Sequence, residues 1–155
     1  MKIIDEQALA DLTAQAMAAP RRRANRNLHT DLGDPLQRLV IAFEPGTYVR
    51  PHRHPDRFEC FILIRGRCVL VTFDEDGRVD TRLSLAGDAN RVVEIPAGTW
   101  HTLVSLETGT VAMEVKPGPY QPTAAGDFAA WAPAEGDAAV PAFLDRLAAS
   151  ESVVM

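Results

Sequence analysis

The sequence GTYVRPHRHPDRFECFILIRG occupies residues 46–66, and this stretch decides how the rest of the chain is interpreted. Side chains two positions apart on an extended strand point to the same side, so we expect His52 and His54 to project together while Arg53 faces away. Glu59 follows a predicted tight turn and begins the next strand, where an antiparallel neighbour can bring its carboxylate opposite the two imidazoles. The spacing therefore predicts two strands that share a metal-binding face.

A second stretch supplies a third imidazole, because residues 96–101, PAGTWH, predict a Pro/Gly turn followed by a strand that opens with His101. Three imidazoles and one carboxylate suit Fe, Mn, Ni, Cu or Zn and contain too much nitrogen for Mg²⁺ or Ca²⁺. The single carboxylate leaves a divalent ion with net positive charge, which favours an anionic or enolisable ligand, or an ionised water. We predict one divalent metal held by His52, His54, Glu59 and His101.

Short apolar runs rich in Val, Ile, Phe and Thr fill the chain from about residue 37 to 116. Turn residues separate them at 74–77, 96–98 and 107–109. Many short strands at regular spacing predict an all-β sandwich or barrel. The predicted strands are Leu39–Phe43, Phe58–Ile64, Cys68–Phe73, Val79–Leu85, Arg91–Ile95, His101–Leu106 and Thr110–Val115.

The segments on either side of these strands have a different pattern. Residues 3–18 predict a short helix that Asp5 can cap, with Leu9, Leu12 and Ala16 on one face. Residues 21–27, RRRANRN, lack an apolar period and predict a loop or irregular arm. A coil from 117 to 122, a second helix at Val140–Ala149 and a frayed tail at 150–155 complete the chain. We expect one domain, with 1–36 and 121–155 packed on a barrel formed by 37–120.

The composition is that of a globular protein: 155 residues, of which 46% are apolar and 24% charged. A formal charge of −5 argues against binding to nucleic acid. The absence of a secretory pattern at residues 1–5 and of any long apolar run predicts a cytoplasmic protein without a membrane span. Cys60 and Cys68 could form a disulfide or bind metal, but we interpret them as small core residues in a reducing compartment.

The two metal-site stretches carry a resemblance to a known family. Residues 46–66 match the first cupin motif, G(X)5HxH(X)4E(X)6G, at every fixed position, and residues 96–101 match PxGxxH, the core of the second. The chain thus resembles the cupin superfamily, which implies a double-stranded β-helix, or jelly-roll barrel, with a metal inside. The second motif is incomplete, since Asn90 stands in place of its leading Gly and Ser105 in place of its trailing Asn.

A narrower resemblance covers roughly residues 20–137 and links the chain to the small bacterial WbuC-type cupin-fold metalloproteins, named for a member associated with O-antigen gene clusters. It implies a metal-binding cupin with flanking segments folded over the barrel, and it brings no established reaction. The matching pieces are Arg21-x-Arg23-x-Asn25-x-Asn27-Leu28-His29, Asp34-Pro35-x-Gln37-Arg38, residues 47–54, Glu114-Val115-Lys116-x-Gly118-Pro119-Tyr120 and Ala130-Trp131-Ala132-Pro133-x-Glu135.

Further polar side chains are candidates for substrate binding and catalysis. Arg50 could hold a carboxylate or phosphate or be an ordinary surface arginine, and Tyr120 could stack on a substrate or fix the coil to the core. Lys116 and Glu114 share one strand face: an inward pair could act in acid–base catalysis, whereas an outward pair is a salt bridge. His29 is interpreted as a hydrogen-bonding residue. The candidate substrate-binding residues are Tyr48, Arg50, Arg23, Asn25, Asn27, Gln37 and Tyr120.

These observations favour a metal-dependent enzyme that acts on a small polar anion, carbohydrate-related in its chemistry, with isomerisation or epimerisation through an enediolate as the first reaction to test. An iron-dependent oxygenase and a non-catalytic, metal-dependent binding or sensor protein remain as alternatives. The outer face that carries Cys60, Ile62 and Ile64 is strongly apolar and needs a cover, either from the terminal helices or from a second subunit. We predict a homodimer that binds a small-molecule ligand.

Overall fold

Two antiparallel sheets form the body of the protein in this computed structural model, which describes residues 1–149. The predicted frayed tail, 150–155, lies outside the described residues. The larger sheet has the strand order β1-β2-β8-β3-β6 and the smaller one β5-β4-β7. The strands are β1 Arg23–Asn27, β2 Leu36–Phe43, β3 Glu59–Arg65, β4 Cys68–Phe73, β5 Val79–Leu85, β6 Val92–Ile95, β7 Trp100–Ser105 and β8 Val111–Pro117. This arrangement confirms the predicted all-β jelly roll.

The inner faces of the two sheets meet in an apolar core because their strands alternate between buried and outward-facing residues. In β3, Phe61 and Leu63 are buried and point inward, while Cys60 and Ile62 on the outer face are only partly covered. Glu59 stands on the same inward face as Phe61, so the strand alternation carries a carboxylate into the barrel.

A second apolar layer covers the outer face of the smaller sheet. Helix α2, Val140–Ala149, buries Phe143, Leu144 and Leu147, as the sequence predicted. They pack with outward-facing residues of β4, and every residue of β7 is buried as a result. Strand β7 is therefore held from both sides, which fixes the position of His101 near its start.

Helix α1, Glu6–Ala18, covers the outer face of the larger sheet. The side chain of Asp5 accepts a hydrogen bond of 2.9 Å from the amide of Ala8, which confirms the predicted N-cap. The buried side of the helix carries Leu9, Leu12 and Ala16, which pack against β2 and β8. Within residues 1–149, neither α1 nor α2 is long and apolar enough to cross a membrane.

The prediction that residues 21–27 form a loop or irregular arm was wrong for most of that segment. Residues 23–27 form β1, an edge strand antiparallel to β2 in which Arg23 pairs with Phe43 and Asn27 with Leu39. Main-chain hydrogen bonds do not depend on side-chain polarity, and an edge strand can carry polar residues where its face meets water or a polar cavity. The polar composition concealed a strand for this reason.

Candidate metal centre

Four side chains that the sequence singled out meet at one point inside the barrel. One potential ligand atom from each of His52, His54, Glu59 and His101 lies within 4.8 Å of all the others. The imidazole centroids of His52 and His101 are 4.6 Å apart, and those of His52 and His54 are 5.0 Å apart. Glu59 and His101 are almost fully buried, at 2% exposure each. The arrangement forms a cluster that could hold a metal ion.

Main-chain hydrogen bonds hold the ligand-bearing segments together. His52 and His101 form an isolated antiparallel bridge, with the amide of each donating to the carbonyl of the other at 3.1 and 2.9 Å. The amide of Gly98 donates to the carbonyl of His54 at 2.8 Å, which fastens the β6–β7 turn to the same segment. His52 and His54 lie outside the named strands, so the predicted strand is reduced here to isolated bridges of His52 with His101 and with Phe128.

The side chain between the two histidines faces away from the cluster, as the alternation predicted. The guanidinium of Arg53 stacks over the ring of Trp100 at 4.5 Å and pairs with Glu75 and Asp127, each at 3.3 Å. The indole Nε1 of Trp100 donates to Glu75 as well, at 3.0 Å. These contacts fix the backbone of Arg53 and thereby the directions of its two histidine neighbours.

The protonation pattern of the histidines suits metal ligation. Nδ1 of His52 lies 3.0 Å from the carbonyl oxygen of Arg50, and Nδ1 of His101 lies 2.9 Å from that of Thr99. A carbonyl oxygen only accepts, so each Nδ1 carries a proton and donates it. Each neutral ring then presents the lone pair of Nε2 to the cluster, which is the usual arrangement of a metal-bound histidine.

Two further contacts call for a positive charge at the centre of the cluster. Nε2 of His101 lies 2.9 Å from Oε2 of Glu59, and two lone pairs at this distance repel unless a proton or a cation is present. Nε2 of His54 is buried and has no hydrogen-bond partner among the described residues, although Oε1 of Glu59 lies 3.4 Å from it. A divalent transition metal satisfies both conditions at once, so these residues fit the predicted cofactor.

Lys116 lies behind Glu59 and connects it to a second buried carboxylate. Its Nζ is 2.7 Å from Oε1 of Glu59 and 2.6 Å from Oε1 of Glu114. The sequence left the orientation of the Lys116–Glu114 pair open, and the structure turns it inward, where the Glu114 side chain is 11% exposed. The ammonium therefore orients the predicted metal ligand through its other oxygen.

Burial and charge shift the pKa values in this group in different directions. Burial opposes ionisation of Glu59, yet its contacts with the imidazoles of His101 and His54 and the charge of Lys116 hold its pKa well below the ordinary value. Burial and the charge of Glu59 raise the pKa of Glu114 to about 7. The two carboxylates outweigh the effect of burial on Lys116 and raise its pKa. Burial, followed by the charge of His101, lowers the pKa of His52 to about 3. The group thus favours a neutral His52 and an ionised Glu59, as metal binding requires.

The cluster opens into a cavity of about 180 Å³, which we call the metal cavity. This volume equals about six water molecules at ~30 Å³ each, so it suits a small molecule. Glu114, Lys116 and Arg23 contribute the charges around the predicted ligands. Apolar groups form most of the remaining wall, including Ile41, Phe43, Val49, Phe61 and Leu103.

A second cavity of about 370 Å³, the outer cavity, shares Arg23, Val49 and His52 with the metal cavity. The guanidinium of Arg50 lines it and lies 5.7 Å from the ring centroid of Phe128. One Nη of Arg50 donates to the carbonyl of Ala129 at 2.8 Å, while its buried Nε has no partner among the described residues. The approach to the metal cavity thus passes two arginines.

Tyr48 does not line either cavity, although the alternation with His52 suggested that it would. Its ring is buried in the outer apolar layer, in edge contact with Phe143 at a centroid distance of 6.2 Å. Its hydroxyl donates to the carbonyl of Pro133 at 2.7 Å, and burial raises its pKa to about 12. The alternation fails because residues 47–51 belong to no regular strand, so that Val49 faces the metal cavity instead.

The remaining candidates line a third cavity of about 380 Å³, the distal cavity, which shares Glu114 and Lys116 with the metal cavity. Gln37 is 2% exposed, and its amide donates to the carbonyls of Leu32 and Asp34. The other candidates here are exposed or half-exposed: Asn25, Asn27 and Tyr120. With the exception of Tyr48, the structure therefore distributes the candidate substrate-binding residues over three neighbouring cavities.

Two features of the site region extend the sequence interpretation. His29 lines the distal cavity and is 4% exposed. The sequence analysis interpreted it only as a hydrogen-bonding residue, because it lies outside the two metal-binding motifs. Cys60 and Cys68 are both free thiols, and burial raises the pKa of Cys68 to about 12. The interpretation of the cysteines as unpaired, packed residues is confirmed for Cys68, which is fully buried, whereas Cys60 is partly exposed.

Comparison with known proteins identifies both a family and a fold. The family described as a domain of unknown function, DUF6016, matches residues 4–85, just over half of the chain. No curated protein gives a significant match.

Three solved structures illustrate the fold. BH2720 of Bacillus halodurans is 20% identical with a TM-score of 0.55, over 73% of this chain and 82% of that one. KdgF of Halomonas sp. is 17% identical with a TM-score of 0.50, over 67% and 85%. A variant of the oxalate decarboxylase OxdC of Bacillus subtilis is 21% identical with a TM-score of 0.50, over 63% of this chain and 26% of that one. At such identities the likeness shows the cupin jelly roll alone.

Proposed function

The chain belongs to the DUF6016 family, whose description assigns no activity, and we propose from its site that it is a metal-dependent cupin enzyme acting on a small anionic substrate. The observation that carries the proposal is the convergence of His52, His54, Glu59 and His101 on one point, at the end of a small cavity. Fold likeness alone supports no reaction, so the argument rests on the charges, sizes and contacts of the site.

The charge balance favours an anion. With Glu114 ionised, Glu59 and Glu114 carry two negative charges against the single positive charge of Lys116, and a divalent cation turns this balance of −1 into +1. Protonation of Glu114, whose pKa is raised to about 7, makes the balance one unit more positive. Arg23 adds a further positive charge on the wall of the metal cavity, and Arg50 lies on the approach. An uncompensated positive charge in a mostly apolar cavity attracts a carboxylate or phosphate strongly because little water screens it.

The protein residues support proton transfer on the substrate. When bound, the metal would act as a Lewis acid that polarises a carbonyl or hydroxyl oxygen of the substrate. Glu114 lines the same cavity, and in this proposal its carboxylate takes a proton from the hydroxyl-bearing carbon next to a carbonyl and returns it to the carbonyl carbon, while the hydroxyl proton passes to the former carbonyl oxygen. In an epimerisation, Glu114 gives its proton up to water, and water supplies a proton to the opposite face of the same carbon. Lys116 orients Glu59 and Glu114 and limits their mutual repulsion. The proton balance closes without a further reactant, which describes an isomerase or epimerase.

Metal binding is the first test. Protein purified under metal-sparing conditions is titrated with Zn²⁺, Mn²⁺, Ni²⁺ and anaerobic Fe²⁺, and melting temperature and bound metal are measured. Binding at a hundred times Kd stabilises the fold by about 2.7 kcal/mol. Glu59→Gln is expected to lose most of this gain, whereas Glu94→Gln, which changes an exposed carboxylate on β6, is expected to keep it. Equal behaviour of the two variants would contradict the proposed centre.

The reaction is tested by solvent deuterium exchange. Metal-loaded protein is incubated in D₂O with hydroxy and keto acids of three to six carbons, and incorporation beside the carbonyl is followed by NMR. Glu114→Gln is expected to slow incorporation by about 10²-fold or more, the usual effect of removing an acid–base group. Oxygen consumption by the Fe²⁺-loaded protein without exchange would favour the oxygenase instead. Tight retention of a ligand with neither reaction would favour a binding protein.

The proposal also covers the metabolic context, the location and the oligomeric state of the protein. The WbuC-type resemblance supports a place in polysaccharide or O-antigen metabolism, and the cytoplasmic location remains a prediction. A homodimer is supported by the exposure of apolar residues at the β3–β6 edge, where Val92 is 61% exposed and Ile64 38%. Light scattering should give twice the 16.9 kDa of one chain, and a monomeric mass would contradict the dimer.

A further inference from the structure

We propose that the distal cavity is a second compartment of the same ligand site and that it binds a neutral, hydroxyl-bearing part of the substrate. The inference rests on the proposed function, because it assigns the far end of a molecule whose anionic end faces the metal centre. Together, the two compartments define the substrate class as a polyhydroxylated acid. The cavity measures about 380 Å³, roughly twice the metal cavity.

The side chains around the distal cavity suit hydroxyl groups. Asn25 and Asn27 on β1 bring two amides, of which Nδ2 of Asn25 donates to Oδ1 of Asn27 at 2.8 Å. Oδ1 of Asn25 can then accept from a ligand hydroxyl, and Nδ2 of Asn27 can donate to one. The charges of Lys116 and Glu114 are used in their mutual contact and in the contact with Glu59, so they add no free charge here. Leu39 and the half-exposed Tyr120 supply apolar surface beside these amides. Alternating apolar and amide surface matches a carbon chain or ring that carries hydroxyls.

His29 provides an independent observation, because it is a buried polar group without a full set of partners. Its Nδ1 lies 3.0 Å from both the amide and the carbonyl oxygen of Arg38, so it accepts from the first or donates to the second, and it has a partner in either tautomer. Its Nε2 is buried and makes no hydrogen bond among the described residues, while the side chain is part of the wall of the distal cavity. A buried polar atom without a partner costs about 1–3 kcal/mol, and a ligand hydroxyl, which both donates and accepts, would recover this cost in either tautomer.

The distal cavity also adjoins the other two. Glu114 and Lys116 line both the distal and the metal cavity, and Tyr120 lines both the distal and the outer cavity. A molecule that reaches past the Lys116–Glu114 pair therefore occupies the metal and distal cavities together. A metal cavity of about 180 Å³ holds only the reacting end of such a molecule.

The test compares a short and a long hydroxy acid on the Zn²⁺-loaded protein. Affinities for glycolate and D-gluconate are measured by calorimetry, and the imidazole ¹⁵N signals of His29 are followed by NMR. We expect Asn27→Ala to weaken gluconate binding by about 3- to 10-fold, the effect of one lost hydrogen bond, and to leave glycolate binding unchanged. Asn90→Ala removes an exposed amide outside all three cavities and serves as the matched control.

A shift of the His29 signals with gluconate but not with glycolate supports the compartment. Equal loss of affinity for both acids in Asn27→Ala, or gluconate binding that leaves His29 unmoved, overturns it. If neither acid binds, the proposed function fails, and the compartment is then judged with neutral D-glucitol on the metal-free protein. Saturable shifts of His29 and Leu39 support it in that case, and their absence overturns it.

Discussion

Replacing Gly66 by alanine should destabilise the barrel far more than the same change at Gly98. Both glycines lie in turns between barrel strands and both have positive φ, +83° and +80°. An alanine in this left-handed region costs about 1–2 kcal/mol at either position. The surroundings differ, because a Cβ at Gly66 would lie 2.6 Å from both Cα and Oγ1 of Thr110, whereas a Cβ at Gly98 meets nothing within 4 Å.

The contact at Gly66 involves main chain that cannot move freely. The hydroxyl of Thr110 donates to the carbonyl of Glu107 at 2.6 Å, with the carbonyl of Arg67 as a second acceptor within reach at 3.1 Å, and Oγ1 accepts from the amide of Arg67 at 3.3 Å. Ordinary carbon contacts lie at about 3.5–4.0 Å, so the turn must shift by roughly 1 Å. Overpacking of this kind costs about 1–3 kcal/mol in addition to the conformational cost. We expect a loss of about 2–5 kcal/mol for Gly66→Ala and about 1–2 kcal/mol for Gly98→Ala.

Urea unfolding of the metal-free protein at 25 °C, followed by tryptophan fluorescence and circular dichroism, measures the difference directly. Metal is omitted because Gly98 lies two residues before β7, the strand of the predicted ligand His101. A change in metal binding then does not contribute to the measured stability. Equal midpoints and slopes for the two variants would refute the steric argument. In that case the glycine of the first cupin motif would be required only for its backbone conformation.

Three further predictions concern buried polar groups. Lys116→Met leaves the carboxylates of Glu59 and Glu114 facing each other, so it should lower the free energy of unfolding of the metal-free protein by about 3 kcal/mol. The control Arg78→Met removes one partner of an exposed ion pair and should change this free energy by less than about 0.5 kcal/mol. Cys68 should resist iodoacetamide at pH 8 in the native state and react after unfolding, since burial raises its pKa to about 12; rapid native labelling found by mass spectrometry would contradict this. Burial also raises the pKa of Tyr48 to about 12, above its ordinary value near 10, so its protonated form stabilises the fold fully below pH 10 and less up to pH 12. Tyr48→Phe should therefore show a smaller fall in melting temperature than wild type between pH 10 and 12, and parallel falls would be evidence against this assignment.

The barrel and the metal cluster were predictable because each depends on local spacing. Predicted and observed bounds agree for β4, β5 and α2 and differ by a few residues elsewhere, since apolar alternation and turn residues mark strands directly. The cluster followed from the spacing of His52, His54 and Glu59 and from a turn that precedes His101. In these cases the information is contained in a window of about ten residues.

The failures arose where long-range packing decides the outcome. Tyr48 is two and four residues from Arg50 and His52, yet the coil at residues 47–51 turns its ring toward α2 instead of the cavity. The direction of Lys116 could not be obtained from β8 alone, because it depends on which carboxylates the neighbouring strands bring near. Phe61 of β3 pairs with Glu114, and this register sets Glu59 within reach of the ammonium. Neither fact is encoded within one segment.

The missed strand β1 shows how a polar pattern can carry the same period as an apolar one. Arg23 lines the metal cavity and Asn25 and Asn27 line the distal cavity, so every second residue faces a cavity. Between them, Ala24 packs under α1, which is the apolar side of the same alternation. The partners of these three residues on β2 face the cavities as well: Phe43 and Ile41 border the metal cavity, and Leu39 borders the distal cavity. A strand that covers a polar site needs polar residues on its inner face, so its polarity is a sign of the site as much as of an edge.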